Sequence, residues 1–141
     1  MSGIALLWGA VGSGFAGTAP LPEPTPEMII TGFYAGWEQK DWNRVVSHLA
    51  AGFTFTSPAP DDHIPLEEYR AKCWSQADYI AKVEFVKISG DDHAAFAIVQ
   101  IITRDNRVLR NTDYFTFRGG KIASIEVFFG GNGLGYPTNQ K

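Results

Sequence analysis

Asp113 lies in the run Leu-Arg-Asn-Thr-Asp-Tyr-Phe-Thr-Phe, whose alternation places it on one face of a strand with Asn111, Phe115 and Phe117. A carboxyl group among phenylalanines loses hydration, which disfavours its charged form and raises its pKa unless donors compensate. It then serves as a proton donor or tuned acid; the alternative is an aspartate tied to Asn111 or to backbone amides for structural reasons. A second group of ionisable residues, Asp61, Asp62 and His63, follows in the loop Pro-Ala-Pro-Asp-Asp-His-Ile-Pro. Neighbours in a loop seldom converge on one ion, and no second histidine stands at ligand spacing, so no metal is expected there. Asp61, Asp62 and His63 are instead read as members of a solvated loop whose last residues help enter the next helix, with the histidine, a residue type that titrates near neutrality, able to overhang a pocket. The single Cys73 forms no disulfide within the chain and reads as a small buried hydrophobe rather than a nucleophile. Gln100 interrupts the apolar row Phe96, Ile98 and Ile102, either as a cross-strand hydrogen-bond partner or as a ligand contact.

The elements that position these residues follow from periodicity. Thr25-Pro26-Glu27 is a helix start, and Ile29, Ile30, Phe33, Tyr34 and Trp37 then recur at helical spacing as one broad apolar face. Gly32 and Gly36 weaken that helix by up to about 1 kcal/mol each relative to alanine, which points to close packing at those turns. Asp41 caps a short second helix, in which His48 is a surface or edge residue. Phe53, Phe55 and Ser57 alternate along a strand that Pro58 stops, and a third helix begins after Pro65, with Leu66, Tyr69, Cys73 and Trp74 inward. Strands are then expected over 82–89, where the inward face is ambiguous, over 94–103, where both faces are largely apolar, and in a final hairpin over 109–129.

Hairpin register determines what Asp113 meets, because a one-residue slip turns every partner side chain over. A two-residue Gly119-Gly120 turn sets Asp113 opposite Glu126; a three-residue loop with Gly120 as a bulge sets it opposite Ile125. Ala123, Ile125, Val127 and Phe129 are apolar while Ser124 and Glu126 are not, which favours the three-residue loop and an outward Glu126.

The chain of 141 residues, 45% hydrophobic and 13% aromatic, is long enough for one domain with a substantial core. Its net charge of −3 and scattered basic residues give no nucleic-acid footprint. Residues 1–24 are expected to be a flexible tail, or a weak signal segment that lacks the positive start; 25–131 form the domain and 132–141 a flexible tail. The first segment is short for a membrane span, so a cytoplasmic location is expected, with export as the alternative. No phosphate-binding glycine loop, zinc-protease motif or nucleophile elbow occurs. Helices first, a strand, a helix and four consecutive antiparallel strands make an α+β domain with helices on one side of a curved sheet.

In this order, Phe-Tyr-Ala-Gly-Trp-Glu-Gln-Lys-Asp-Trp, Phe-Thr-Phe-Thr-Ser-Pro, Ala-Ala-Phe-Ala-Ile-Val-Gln-Ile and the run from Thr112 to Gly130 resemble the nuclear transport factor two-like superfamily, particularly its SnoaL-like and ketosteroid-isomerase-like members. The resemblance covers Pro26 to Gly130. It implies a cone-shaped, cystatin-like α+β barrel, with a pocket between the curved antiparallel sheet and three N-terminal helices, and a homodimer built through the sheet. It implies no cofactor and no single function, since fold-mates include isomerases, hydratases, cyclases, hydrolases and binding proteins. Asp113 matches the position where steroid isomerases keep a protonated aspartic acid as an oxyanion donor. Their general base corresponds to Ser57 and their tyrosine donor to Phe33, with Tyr34 adjacent. Serine has no useful basicity near neutral pH, so a base would have to come from His63, Asp62 or Asp113 itself.

Three readings follow. One is a cofactor-independent acid–base enzyme acting on a small, largely apolar molecule with a polar tip. Its walls would be Tyr34, Trp37, Phe55, Trp74, Phe96 and Phe115, with Ser57, Gln100 and Asn111 adding polarity. Another is a non-catalytic ligand-binding or dimeric accessory domain. In the third, aromatic side chains fill the cone completely.

Overall fold

Thr25 begins α1 (Pro26–Glu38) as expected, its Oγ1 accepting the Met28 N–H at 3.2 Å with proline at the first helical position. This computed structural model describes residues 14, 17–58 and 60–129; the expected tail 132–141 and most of the segment 1–24 lie outside them. Asp41 caps α2 (Trp42–Ser47) by accepting the Arg44 N–H at 3.0 Å. The chain continues through β1 (Leu49–Thr56), a two-residue β2 (Ile64–Pro65), α3 (Leu66–Cys73), a 3-10 helix (Trp74–Asp78), β3 (Ile80–Gly90), β4 (Ala94–Thr103), β5 (Val108–Arg118) and β6 (Lys121–Phe129).

The six strands form one sheet in the order β2-β1-β6-β5-β4-β3. All neighbours are antiparallel except β1 and β6, which pair parallel through Phe55 and Ile125. That parallel pair brings the N-terminal strand beside the last one and closes the layer under the helices. The α+β class and the curved sheet covered by helices therefore stand as read from the sequence.

The core lies between α1 and the concave face, where Ile30, Phe33, Phe115 and Ile122 are almost fully buried. Small residues make room for the helix: Ala95, Ala97 and Val99 of β4 face inward, while Phe96 and Ile98 lie on the outer face. The ambiguity of β3 has a cause as well. Register shifts after Ile80 and after Phe85 break its two-residue period.

Close packing of α1 on α2 requires its glycines. A Cβ on Gly36 would sit 2.7 Å from Val45 Cγ2 and 2.9 Å from the Val45 backbone nitrogen, and one on Gly32 would meet the His48 ring at 2.5 Å. His48 is thus a half-buried lid on Gly32, and loss of hydration pushes its pKa down. Gly36→Ala is expected to destabilise the domain by about 1–3 kcal/mol, because the backbone of α2 cannot yield as a side chain could. A urea melt that leaves the midpoint unchanged would refute this account of the contact.

The hairpin differs from both registers considered above. Gly119 and Gly120 both have positive φ, +58° and +68°, and form a two-residue turn that pairs Arg118 with Lys121. A bulge then leaves Ala123 unpaired between Phe117↔Ile122 and Thr116↔Ser124, so that Asp113 faces Val127. Ile122 takes the buried position that alternation assigned to Ala123, and Glu126 lies outside opposite Tyr114.

Candidate active site

Between α1, α3 and the concave face lies a cavity of about 270 Å³, a space that the aromatic side chains leave unfilled. Its walls come from Phe33, Tyr34 and Trp37 of α1, Phe55 of β1, and Tyr69 and Cys73 of α3. Ser57, Asp61, Gln76 and Asn111 supply its polar lining, with Ile125 and Val127 on the sheet side.

Asp113 stands immediately behind this lining and has no exposed surface. The Tyr34 hydroxyl donates to its Oδ2, while Oδ1 has no hydrogen-bond partner among the described residues. Phe115, fully buried, meets the Tyr34 ring edge-on at 6.5 Å between centroids, Phe85 meets it at 5.5 Å and Phe33 at 5.2 Å, so three rings hold the phenol. Burial pushes the Asp113 pKa up to about 7, the Tyr34 hydrogen bond opposing the shift. Burial also raises the Tyr34 pKa well above its ordinary value, with the nearby Asp113 charge adding to it.

These facts give the pair two states. When Asp113 is ionised, the one phenolic proton is committed to Oδ2 and Tyr34 offers the cavity only acceptor lone pairs. When Asp113 is protonated, its own proton can go to the Tyr34 oxygen, which frees the phenolic O–H to donate into the cavity. The bare Oδ1 favours the neutral acid, since an unpaired charged oxygen costs more when buried than a carbonyl oxygen does.

A model of the SnoaL-like domain matches residues 30–125, more than half of the chain. The chain belongs to the SnoaL-like domain family. Its members include small-molecule isomerases and cyclases as well as binding proteins. None of the curated proteins matches this SnoaL-like domain. Among solved structures it is similar to a protein with a cystatin-like fold from Methylobium petroleophilum, with a TM-score of 0.65 and 16% identity over 75% of this chain and 76% of the other. A protein with a ketosteroid isomerase-like fold from Catenulispora acidiphila, solved in complex with trimethylamine, gives 0.59 and 18% over 74% and 85%. A de novo designed protein with a curved β-sheet gives 0.61 and 15% over 72% and 81%. At these identities the likeness is one of fold.

Of the residues expected at the site, the SnoaL-like domain brings Tyr34, Trp37, Phe55, Ser57 and Asn111 to the cavity. The tyrosine bonded to Asp113 is Tyr34, while Phe33, at the matched position, is a wall. Phe115 supports the Tyr34 ring from behind, and Trp74 packs on Trp37 and Trp42, its centroid 5.0 Å from each, outside the lining. Phe96 and Gln100 are corrections: both lie on the outer face of β4, in register with Tyr114 and Arg110. Asp62 and His63 are a further correction, for they do not line the cavity. They pair with each other at 2.5 Å on the loop surface, with His63 at a positive φ of 51° and both side chains largely exposed. Cys73 is buried and lines the cavity, and burial pushes its thiol up to about 11, well above the range of a reactive thiolate.

The loop acid that reaches the cavity is Asp61, a correction to its reading as a member of a solvated loop. The Ser57 N–H donates to the Asp61 carbonyl at 3.0 Å, curling the loop inward, and Ser57 Oγ reaches Asp61 Oδ2 at 3.3 Å. Lys72 binds Asp61 Oδ1 at 2.6 Å from α3. Loop curvature, which no periodicity encodes, separates Asp61 from Asp62. No helix among the described residues is long and apolar enough to cross a membrane.

Proposed function

We propose that this domain is a cofactor-independent acid–base enzyme of the isomerase, hydratase, cyclase or hydrolase type, acting on a small, largely apolar molecule with a carbonyl or hydroxyl tip. The observation that carries the reading is the buried Asp113–Tyr34 pair, whose neutral form directs a phenolic donor into an apolar cavity. A substrate oxygen at Tyr34 would have its developing negative charge stabilised by that donor, in surroundings that keep water from competing. Asp61, the carboxylate that lines the same cavity, is placed to accept a proton from the other end of the substrate. Ser57 and Lys72 then act as positioning residues that hold its two oxygens.

Solvent-deuterium exchange into a panel of small cyclic ketones, followed by NMR, tests this. At least one ketone is expected to exchange faster with the protein, and Tyr34→Phe should lower that rate by about a hundredfold, as loss of one such donor does. Ketones that bind without exchange would end the catalytic reading in favour of a non-catalytic ligand-binding or accessory domain. That second reading draws support from Asp61, whose oxygens are already engaged by Lys72 and Ser57.

The reading includes a homodimer through the outer face of the sheet. Phe96, Ile98 and Phe128 are each 41–51% exposed there, more apolar surface than a lone sheet face usually presents to water. Sedimentation equilibrium at micromolar concentration is expected to give the dimer mass, and a monomer throughout would dismiss it.

A further inference from the structure

Resting on the reading of this cavity as a ligand site, we infer that its ligand carries a protonated amine, held between the Asp61 carboxylate and aromatic faces, with the ligand's oxygen at Tyr34. The charge of the lining points this way. Among the described residues Asp61 is the one charged side chain of the cavity lining, which includes no lysine, arginine or histidine. The open groove that shares Ser57, Asp61 and Val127 with the cavity adds Asp62 and Glu126, and among the described residues again no basic one lines it. The nearest ammonium, Lys72 on Asp61, stands outside the lining. An anionic ligand would therefore approach through acids at every step, whereas a cation would be drawn in.

The charge balance around Asp61 is incomplete as well. Lys72 is shared between Asp61 at 2.6 Å and Glu68 at 2.8 Å, so two carboxylates divide one ammonium. Asp61 is the more enclosed partner, 12% exposed against 43% for Lys72, and among the described residues its Oδ2 is held only by the long Ser57 contact. That oxygen keeps lone-pair capacity for a further charged donor.

The walls give the independent support. Tyr34, Trp37, Phe55 and Tyr69 all line the cavity, and the Tyr69 ring lies 4.6 Å from Phe55 and 6.0 Å from Trp37 between centroids. Such adjoining rings attract an alkylammonium through their negative faces and exclude water from its carbon shell. A neutral apolar ligand would use the rings but bring no charge to pair with the carboxylate.

Benzylamine, benzyl alcohol and benzoate, alike in size and differing in charge, distinguish these cases when titrated by calorimetry into the full-length protein at neutral pH. Benzylamine is expected to bind about tenfold more tightly than benzyl alcohol, and benzoate weakest of all. Asp61→Asn should erase the amine preference while leaving the alcohol's affinity near its original value. Lys72→Met, which alters only the exposed side of the pair, should strengthen amine binding by releasing the carboxylate. Benzyl alcohol binding as well as or better than benzylamine would overturn the inference and leave the ligand-site reading intact, as would a weaker amine in Lys72→Met. Failure of all three compounds to bind would bring down both.

Discussion

Asp113→Asn is expected to stabilise the protein at alkaline pH and to change it little at acid pH. The folded-state pKa of Asp113, about 7, lies above the ordinary value of 3.8, so between the two the folded chain holds a proton that the unfolded chain has released. Stability from this group is fully present below the unfolded value and is lost as pH rises through about 7. Three pH units of displacement correspond to about 4 kcal/mol, the amount that asparagine would restore at high pH. His48 works with the opposite sign: its lowered pKa means stability present above the unfolded value and lost as pH falls through the lowered folded value. The difference between variant and parent cancels His48, so paired urea melts, one below 3.8 and one above about 7, isolate Asp113. Equal midpoint differences at both would show that Asp113 does not titrate as burial requires. An asparagine N–H can donate to the Tyr34 oxygen as the neutral acid does, so any turnover that depends on the phenolic donor should persist and no longer fall as pH rises through about 7.

Phe115→Ala should cost about 3–5 kcal/mol, among the largest effects of any single truncation in this fold. The ring is fully buried and touches Phe33, Tyr34 and Phe117, so little around it can collapse into the space. The loss would also release the Tyr34 ring from one of the three rings packed on it, Phe33 and Phe85 remaining. Denaturant unfolding measures the first effect and the Asp113 titration the second; a cost below about 1 kcal/mol would mean that the strand and helix close over the gap.

These two residues were legible in the sequence for a simple reason. They share a strand in which Phe115 and Phe117 alternate with Tyr114 and Thr116, and the period of two carries that face back to Asp113. Tyr34 was less so, because Phe33 and Tyr34 both lie on the broad buried side of α1, and helix rotation against the sheet selects the one that reaches Asp113. Phe96 and Gln100 misled for another reason. Both rows of β4 are apolar, and the row that faces the helix is the one with small residues, Ala95 and Ala97, because α1 fills the space above them. There, size governed the choice and hydrophobicity did not. Asp61 was hidden in a loop, where geometry arises from individual hydrogen bonds such as Ser57 N–H to the Asp61 carbonyl.

The unpaired residue at Ala123 has a consequence for proton inventory. If β6 ran on from its glycine turn without the bulge, Glu126 would meet Asp113 across the strands, and two carboxyl groups would share one buried site. Such a pair gives up its protons in two coupled steps, neither belonging to one residue. By advancing the strand one place, the bulge seats Val127 there and sends Glu126 to the opposite face. The interior thus holds one carboxyl proton in contact with one phenol, and its charge changes in a single step.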